Sequence, residues 1–227
     1  MDIKLHYVEQ GSGTPLILLH GNGDSHAYFE HQMEAFSKHF RVIAVDTRGH
    51  GASPRGTAEF TLLQFARDLN DFMDELGIEK AHVLGFSDGG NIALLFALHF
   101  PHRVLRLVSD GADLDPSGVK FSVQFGILCG YWMTKIISIF DKKCVPKHEI
   151  LSLMVGQPNI KKEELQKLTM PVLVMAGDND MIKANHTPYI ASCIPSATLC
   201  IIKGDHFIAA KNPEDFNAAV LDFLLEE

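Results

Sequence analysis

The chain has 227 residues, of which 46% are hydrophobic and 21% are charged, a composition typical of a globular protein with one well-filled domain. Its net charge of −8 gives no footprint for binding to nucleic acid or to an anionic membrane, and favours a small-molecule or neutral partner. The four cysteines form no CxxC pair and the histidines have no metal-ligand spacing, so we expect reduced thiols and no metal site. The N-terminal segment lacks the pattern of an export signal, which favours a cytoplasmic protein.

Short apolar runs predict the strands of a parallel sheet that is buried on both faces. Each run is nearly continuous, rich in β-branched residues and bounded by Gly, Pro or Asp. An additional edge strand is predicted at 2–9. The six main runs cover residues 15–21, 41–47, 81–87, 104–110, 171–177 and 197–204.

Segments with helical periodicity lie between these runs. Residues 61–77 place apolar side chains at three- and four-residue steps and end on Gly77, and residues 212–227 begin with Asn-Pro. Alternating strands and helices predict an α/β fold with a mostly parallel central sheet of about seven to eight strands and helices on both faces. We expect residues 1–227 to form a single domain.

Residues 114–169 interrupt this alternation and predict a short helical cap, because roughly 55 residues exceed an ordinary crossover. The helix predicted at 119–140 carries one stripe of apolar side chains, and shorter amphipathic segments follow at 147–155 and 161–168. Lys120 and Lys135 interrupt the apolar stretch, so no membrane span is expected. The stripe comprises Phe121, Phe125, Leu128, Trp132 and Ile136. It either packs within the cap or lines a substrate pocket, and the candidates for the pocket are Phe121, Phe125 and Trp132.

Ser87 follows the predicted strand at 81–87 and precedes an apolar segment of helical length. Ligands of open α/β sheets gather at the carboxyl ends of the strands, and a serine there becomes nucleophilic when a histidine oriented by a carboxylate accepts its proton. Gly85 and Gly89 leave room for a sharp turn around it. The alternative is a structural helix N-cap at Ser87.

The segment GFSDGG resembles the GxSxG nucleophile elbow of the α/β-hydrolase family. Four other segments resemble sequence motifs of the same family. They occur in the family's order and extend over nearly the whole chain. They are HGNGDS (20–25), DTRGHGAS (46–53), PVLVMAGDNDMI (171–182) and GDHF (204–207).

This resemblance implies a catalytic triad of Ser87 as nucleophile, His206 as general base and Asp180 as the acid that orients the histidine. Asp178 competes with Asp180 within one turn, and Asp110 and Asp113 are further alternatives. The backbone N–H groups of Asn22 and Asp88 would form the oxyanion hole.

The Asp88 side chain allows two interpretations. An acidic residue in the first turn of a helix is stabilised by the macrodipole, and a carboxylate beside the nucleophile could also bind an amine on the substrate. The negative charge would hinder oxyanion formation unless the side chain points away from the reacting carbonyl.

The predicted function is a cofactor-independent serine hydrolase that cleaves a small to medium carboxylic ester, lactone or thioester through an acyl-enzyme. Related sites in the family act on amides or carbon–carbon bonds or form peroxyacids, and the sequence leaves those open. The serine at position 87 argues against the dehalogenase and epoxide-hydrolase branches. Alternatives from other classes are a ligand-binding protein without turnover and a lipase whose helix at 119–140 docks on lipid; the oligomeric state is not predicted.

Overall fold

The structure, a computed structural model, describes residues 1–226 and contains a seven-stranded sheet with helices on both sides. The strand order is β1-β3-β2-β4-β5-β6-β7, and every neighbouring pair is parallel except the antiparallel pair β1 and β3. The predicted α/β fold with a mostly parallel sheet is therefore confirmed. The strands are β1 (Tyr7–Gln10), β2 (Pro15–Leu19), β3 (Arg41–Val45), β4 (Ala81–Phe86), β5 (Val104–Asp110), β6 (Val172–Gly177) and β7 (Ala197–Ile202).

Two apolar clusters fill the space between the sheet and its helices. One lies against α2, α3 and α7, and the other against α1 and α9. The central strands are buried on both faces, which explains why their sequences are continuously apolar rather than alternating. The helices are α1 (Glu30–Phe36), α2 (Leu62–Glu75), α3 (Asp88–His99), α4 (Phe121–Phe140), α5 (Val145–Gly156), α6 (Lys162–Leu165), α7 (His186–Cys193), α8 (Ile208–Lys211) and α9 (Pro213–Leu225).

The edge strand β1 begins later than the sequence predicts. Its ladder with β3 starts at Tyr7, opposite Val45. The His6 carbonyl still accepts a hydrogen bond from the Asp46 N–H at 2.9 Å, and further toward the N-terminus the chain binds the loop after β3: the Asp2 carboxylate accepts hydrogen bonds from Arg48 at 2.6 Å and from the N–H of Thr57 at 2.6 Å.

A buried ion pair fixes that loop against α2. The Arg48 side chain is fully buried and donates two hydrogen bonds of 2.7 Å to Asp68. Planar, bidentate pairing satisfies both charges in the interior.

Removing one partner of this pair is expected to lower the stability of the whole domain. Asp68→Ala leaves the Arg48 guanidinium buried without its main counter-charge, which costs about 3–5 kcal/mol of the free energy of unfolding. Urea denaturation measures the loss. Glu75→Ala, on an exposed position of the same helix, is the matched control and should change stability by no more than about 0.5 kcal/mol. Equal effects of the two substitutions would contradict the assignment.

The chain between β5 and β6 contains α4, α5 and α6. Helices α4 and α5 pack on each other, and the start of α4 is joined to the domain by the bridge between Val119 and Ile182. By length and composition alone, α4 is apolar enough to cross a membrane. Lys120 precedes the helix, so of the two lysines only Lys135 interrupts its apolar stretch. That 114–169 forms a cap stays a prediction.

Candidate active site

The site lies where the strand order reverses. Strand β2 is flanked by β3 and β4, so the loops that follow β2 and β4 leave a crevice at their carboxyl ends, the usual ligand position in open α/β sheets. Ser87 follows β4, and Asn22 lies in the turn after β2.

Ser87 occupies a strained turn between β4 and α3. Its backbone has φ 54° and ψ −121°, a conformation that non-glycine residues rarely adopt and that costs of order 1–3 kcal/mol. The turn is crowded: a Cβ at Gly85 would lie 2.0 Å from the Gly89 carbonyl oxygen, and a Cβ at Gly89 would lie 2.0 Å from that of Leu19. The glycines therefore permit the close approach that exposes the Ser87 hydroxyl.

Three side chains from distant segments form a hydrogen-bonded chain. The Ser87 Oγ lies 3.0 Å from His206 Nε2, and His206 Nδ1 lies 2.7 Å from Asp180 Oδ1. Asp180 is held in turn by the N–H of Ile182 at 2.9 Å. Gly111 allows the histidine to sit there, because a Cβ at that position would lie 2.8 Å from His206 Cε1. This arrangement allows proton transfer from the serine to an oriented imidazole.

None of the three competing acids forms a hydrogen bond to His206 within residues 1–226. Asp178 accepts a hydrogen bond from the N–H of Gly204 at 3.0 Å, and Asp113 accepts one from the Asn91 side chain at 2.9 Å. Asp110 is fully buried, and neither of its carboxyl oxygens has a hydrogen-bond partner within residues 1–226. Burial, with the neighbouring Asp180 adding to it, holds the pKa of Asp110 well above its usual range, which favours an uncharged carboxyl.

The two residues predicted for the oxyanion hole are joined through their side chains. Asn22 Nδ2 donates to Asp88 Oδ2 at 2.7 Å and to the Ile150 carbonyl of α5 at 3.0 Å. The Asp88 N–H belongs to the first turn of α3, where backbone N–H groups have no intrahelical acceptor. Burial raises the pKa of the Asp88 carboxyl, against the lowering effect of the Asn22 hydrogen bond.

A buried histidine, His20, fixes one of the loops around this crevice. His20 accepts a hydrogen bond from the N–H of Thr47 at 3.1 Å, and burial lowers the pKa of His20 to about 4. Its other ring nitrogen lies 2.7 Å from the Gly21 carbonyl oxygen, so the neutral ring donates there and orients the turn that carries Asn22.

His6, His26 and Asp46 form a cluster that the sequence analysis does not foresee. Their potential ligand atoms lie within 4.8 Å of one another, and each histidine Nδ1 lies 2.9 Å from an Asp46 oxygen. Asp46 also accepts from the backbone N–H groups of His26 and Ala52 at 2.7 and 2.9 Å. Hydrogen bonding within the loops accounts for the cluster, although two imidazoles and a carboxylate are also a donor set that zinc accepts.

Two adjoining cavities lie beside Ser87 and His206. One, of about 120 Å³, borders the oxyanion turn, Ser87 and His206; the other, of about 290 Å³, borders His206 and the start of α4. Met181 and Phe207 line both, and Met154 of α5 lines the first. The sequence carries no pattern that identifies these three side chains. A narrower recess beside Ser87 includes Asp88, Asp113 and Gln157.

The structure places Phe121, Phe125 and Trp132 outside these cavities. Phe121 is 80% exposed, and the other two are more than half exposed. Helix α4 turns this side away from the domain and packs its opposite side on α5. Among the predicted pocket residues, Asp88 alone lies in the recess beside Ser87.

The buried carboxyl of Asp113 should make stability depend on pH. Burial, only partly offset by the Asn91 hydrogen bond, raises the pKa of Asp113 to about 7. The folded protein then binds more protons than the unfolded chain between pH ~4 and ~7, so the Asp113 contribution to stability is lost as the pH rises through this window.

Asp113→Asn removes this titration but keeps an oxygen that can accept from Asn91. We expect the variant to gain stability over wild type as the pH rises from about 4 to about 7, at no more than about 1.4 kcal/mol per pH unit, and a constant difference above pH ~7. Urea denaturation across this range measures it, with Glu214→Gln at an exposed position as the control. A difference from wild type that does not change with pH would contradict the prediction.

A mostly parallel α/β sheet with a strained serine after its central strand, and a histidine and a carboxylate aligned behind that serine, defines a hydrolase-type architecture. The chain belongs to the α/β hydrolase fold family, which it matches over residues 14–137.

Three proteins that are similar over nearly the full chain are named as hydrolases. The chain is 32% identical to the putative carbamate hydrolase RutD of Caulobacter sp. (strain K31), over all of this chain and 97% of the relative. A hydrolase from Pseudomonas aeruginosa PA01 is 26% identical, with a TM-score of 0.77 over 98% of this chain and 94% of that one. A meta-cleavage product hydrolase from Pseudomonas fluorescens IP01 shares the fold at 24% identity, with a TM-score of 0.80 over 99% and 95%.

Proposed function

We propose that this protein is a serine hydrolase that cleaves a carboxylic ester, lactone or thioester through an acyl-enzyme. The observation that carries the proposal is the chain of contacts from Ser87 Oγ to His206 Nε2 at 3.0 Å and from His206 Nδ1 to Asp180 Oδ1 at 2.7 Å. No cofactor takes part in the proposed reaction.

The proposed reaction has two steps. His206 accepts the Ser87 proton as Oγ bonds to the substrate carbonyl carbon, and the resulting imidazolium gives that proton to the leaving group as its bond to the carbonyl carbon breaks. In the second step, His206 takes a proton from water as the water oxygen bonds to the acyl carbon, and returns that proton to Ser87 Oγ as the bond between Oγ and the acyl carbon breaks and the acid leaves. Asp180 keeps the imidazole in the required tautomer and stabilises its charged form.

The oxyanion of both steps would be held by the backbone N–H groups of Asn22 and Asp88. Ser87, Asn22 and His206 line the same cavity, and Asp88 begins α3 directly after the nucleophile. Loss of one such donor typically slows the reaction by about two to three powers of ten. The hydrogen bond between the Asn22 and Asp88 side chains holds the two backbone segments in register.

The cavities support substrates of small to medium size. At about 120 and 290 Å³, they fall below the volume of pockets that hold drug-sized ligands, which is on the order of 300–1,000 Å³. The methionines and Phe207 favour an apolar acyl or alkyl group. Recognition of a substrate amine by Asp88 stays a prediction, and its carboxylate is already engaged by Asn22.

A second candidate reaction is the hydrolysis of a carbamate. The relative named as a putative carbamate hydrolase is similar over the entire chain, and carbamates present the same carbonyl to a serine nucleophile. Asp88, Asp113 and Gln157 line a recess of about 20 Å³ beside Ser87, together with Met154 and other apolar side chains, so a carbamate nitrogen there would meet both polar and apolar groups.

Labelling with a fluorophosphonate tests the proposal directly. The intact mass of the wild-type protein should increase by one adduct, which peptide mapping should place on Ser87, and a panel of matched esters, lactones, thioesters and carbamates then ranks the substrates by kcat/KM. A folded protein that gives no adduct and no turnover, yet gains thermal stability from panel compounds, would instead be a ligand-binding protein.

A further inference from the structure

Helix α4 exposes a long apolar face that nothing in the described chain covers. Only 6% of its most apolar 18-residue window is buried, at a mean hydropathy of 1.3. Exposed apolar surfaces of this extent mark interaction sites in soluble proteins. The exposed large apolar side chains of the helix are Phe121, Phe125, Trp132, Met133, Ile136, Ile137, Ile139 and Phe140.

These side chains share one side of the helix, which we call the outer face of α4. At about 100° per residue, positions 121, 125, 132, 136 and 139 fall within an arc of about 60°, and the other three extend the arc in one direction. The opposite side is occupied by α5: Thr134 Oγ1 lies 3.4 Å from His148 Nδ1, and Gln124 Nε2 donates to the Met154 carbonyl at 3.4 Å. The helix is therefore held to the protein along its inner side only.

The segment that contains α4 carries a charge opposite in sign to that of the whole chain. Residues 119–148 contain five lysines and one aspartate, a net of +4, whereas the whole chain carries −8. Lys135 borders the face, with its Nζ 4.7 Å from the centre of the Trp132 ring. The other lysines of this segment are Lys120, Lys142, Lys143 and Lys147, of which the last three are exposed.

We propose that the outer face of α4 docks on an anionic lipid surface. A helix with bulky apolar side chains on one face and lysines at its borders lies in the interfacial plane, with the apolar groups among the acyl chains and the ammonium groups at the phosphates. A second copy of this chain fits less well, because a two-fold contact through this face would bring the same lysines together.

The helix docks on the surface rather than crossing the bilayer. Its start is tied to the domain by the hydrogen bond from the Lys120 N–H to the Met181 carbonyl at 2.9 Å, and its inner side is covered by α5. Lys120 and Val123 line the cavity of about 290 Å³ that reaches His206.

The single tryptophan of the chain reports on docking, because Trp132 lies on the outer face. Vesicles of phosphatidylcholine with phosphatidylglycerol should shift its emission to shorter wavelength, and brominated acyl chains should quench it. Cosedimentation should show at least about ten-fold tighter binding to these vesicles than to pure phosphatidylcholine, with the difference falling as salt is added.

Two double variants test whether vesicle binding requires the outer face of α4 or only exposed apolar side chains in general. Phe125→Ser with Ile136→Ser should weaken vesicle binding at least about ten-fold, because the bilayer then loses two of the apolar side chains that would insert among its acyl chains. The matched control is Leu199→Ser with Ile201→Ser, two exposed apolar side chains of β7, and it should bind as wild type does. Circular dichroism checks that each variant is folded.

Docking does not depend on the proposed chemistry, so Ser87→Ala should bind vesicles as wild type does. Failure to bind anionic vesicles, equal binding to both kinds of vesicle, or equal loss in both double variants would overturn the proposal. A stable dimer that only the Phe125→Ser, Ile136→Ser variant dissociates, without vesicle binding, would assign the face to a second copy instead.

Discussion

Replacement of Ser87 by alanine is expected to lower kcat for the best ester or carbamate substrate by about 10⁴–10⁶-fold, with the fold unchanged. The serine hydroxyl is the only group that the proposed mechanism allows to bond to the substrate carbon. Alanine and serine differ by one oxygen at a backbone of φ 54°, so the turn itself should tolerate the change. Steady-state kinetics on purified variants with unchanged circular dichroism measure the effect.

The double variant Ser87→Ala, His206→Ala sharpens this prediction. If the two groups act as one unit through their 3.0 Å contact, removing both should cost about as much as removing one. Ser109→Ala is the matched control, because that buried hydroxyl on β5 has no hydrogen-bond partner within residues 1–226; its activity should stay within about two-fold of wild type. Losses that multiply in the double variant would refute the shared mechanism.

The fold was accessible to sequence reasoning because its strands are buried on both faces. A continuous apolar run bounded by glycine or proline has few other interpretations, and the runs at 104–110 and 171–177 match β5 and β6 to within a residue. The short helices α1, α7 and α8 were not predicted. Each has at most eight residues, too few for a helical period to stand out from the adjacent loops.

The side-chain contacts of the site were only partly accessible. The order of motifs points to Ser87 and His206, but no local pattern joins Asn22 to Asp88, which lie 66 residues apart, or His6 to Asp46, which lie 40 apart. Such contacts are made by strand order, which brings the loops after β2, β3 and β4, together with the start of the antiparallel strand β1, to one edge of the sheet. The sequence indicates where each loop lies along the chain but not which loops meet in the fold.

The α4 stripe shows a limit of periodicity. The spacing of Phe121, Phe125 and Trp132 indicates that they share one helical face, and the structure agrees. Periodicity does not say whether that face turns toward the domain, and here it turns outward while the other side packs on α5. An apolar stripe is therefore evidence of a contact surface, and only the fold identifies what the surface contacts.

The sequence offers four candidates for the acid of the proposed triad. The geometry supports Asp180 over Asp178, Asp110 and Asp113. Asp180→Asn is expected to lower kcat by about 10⁴-fold, because an amide cannot hold the imidazole in the tautomer that accepts the serine proton. Asp178→Asn is the matched control two residues away. Its partner is the N–H of Gly204, which an asparagine oxygen can still engage, so activity should change little.

Asp110 provides the decisive comparison, because it is the other carboxyl close to Asp180. Its burial without a partner, together with its raised pKa, favours the protonated form, which cannot stabilise an imidazolium as a carboxylate does. Asp110→Asn should therefore retain most of the activity in assays near neutral pH. If Asp180→Asn stayed active while Asp110→Asn lost about 10⁴-fold, the acid would be Asp110, and the 2.7 Å contact between His206 and Asp180 would be structural.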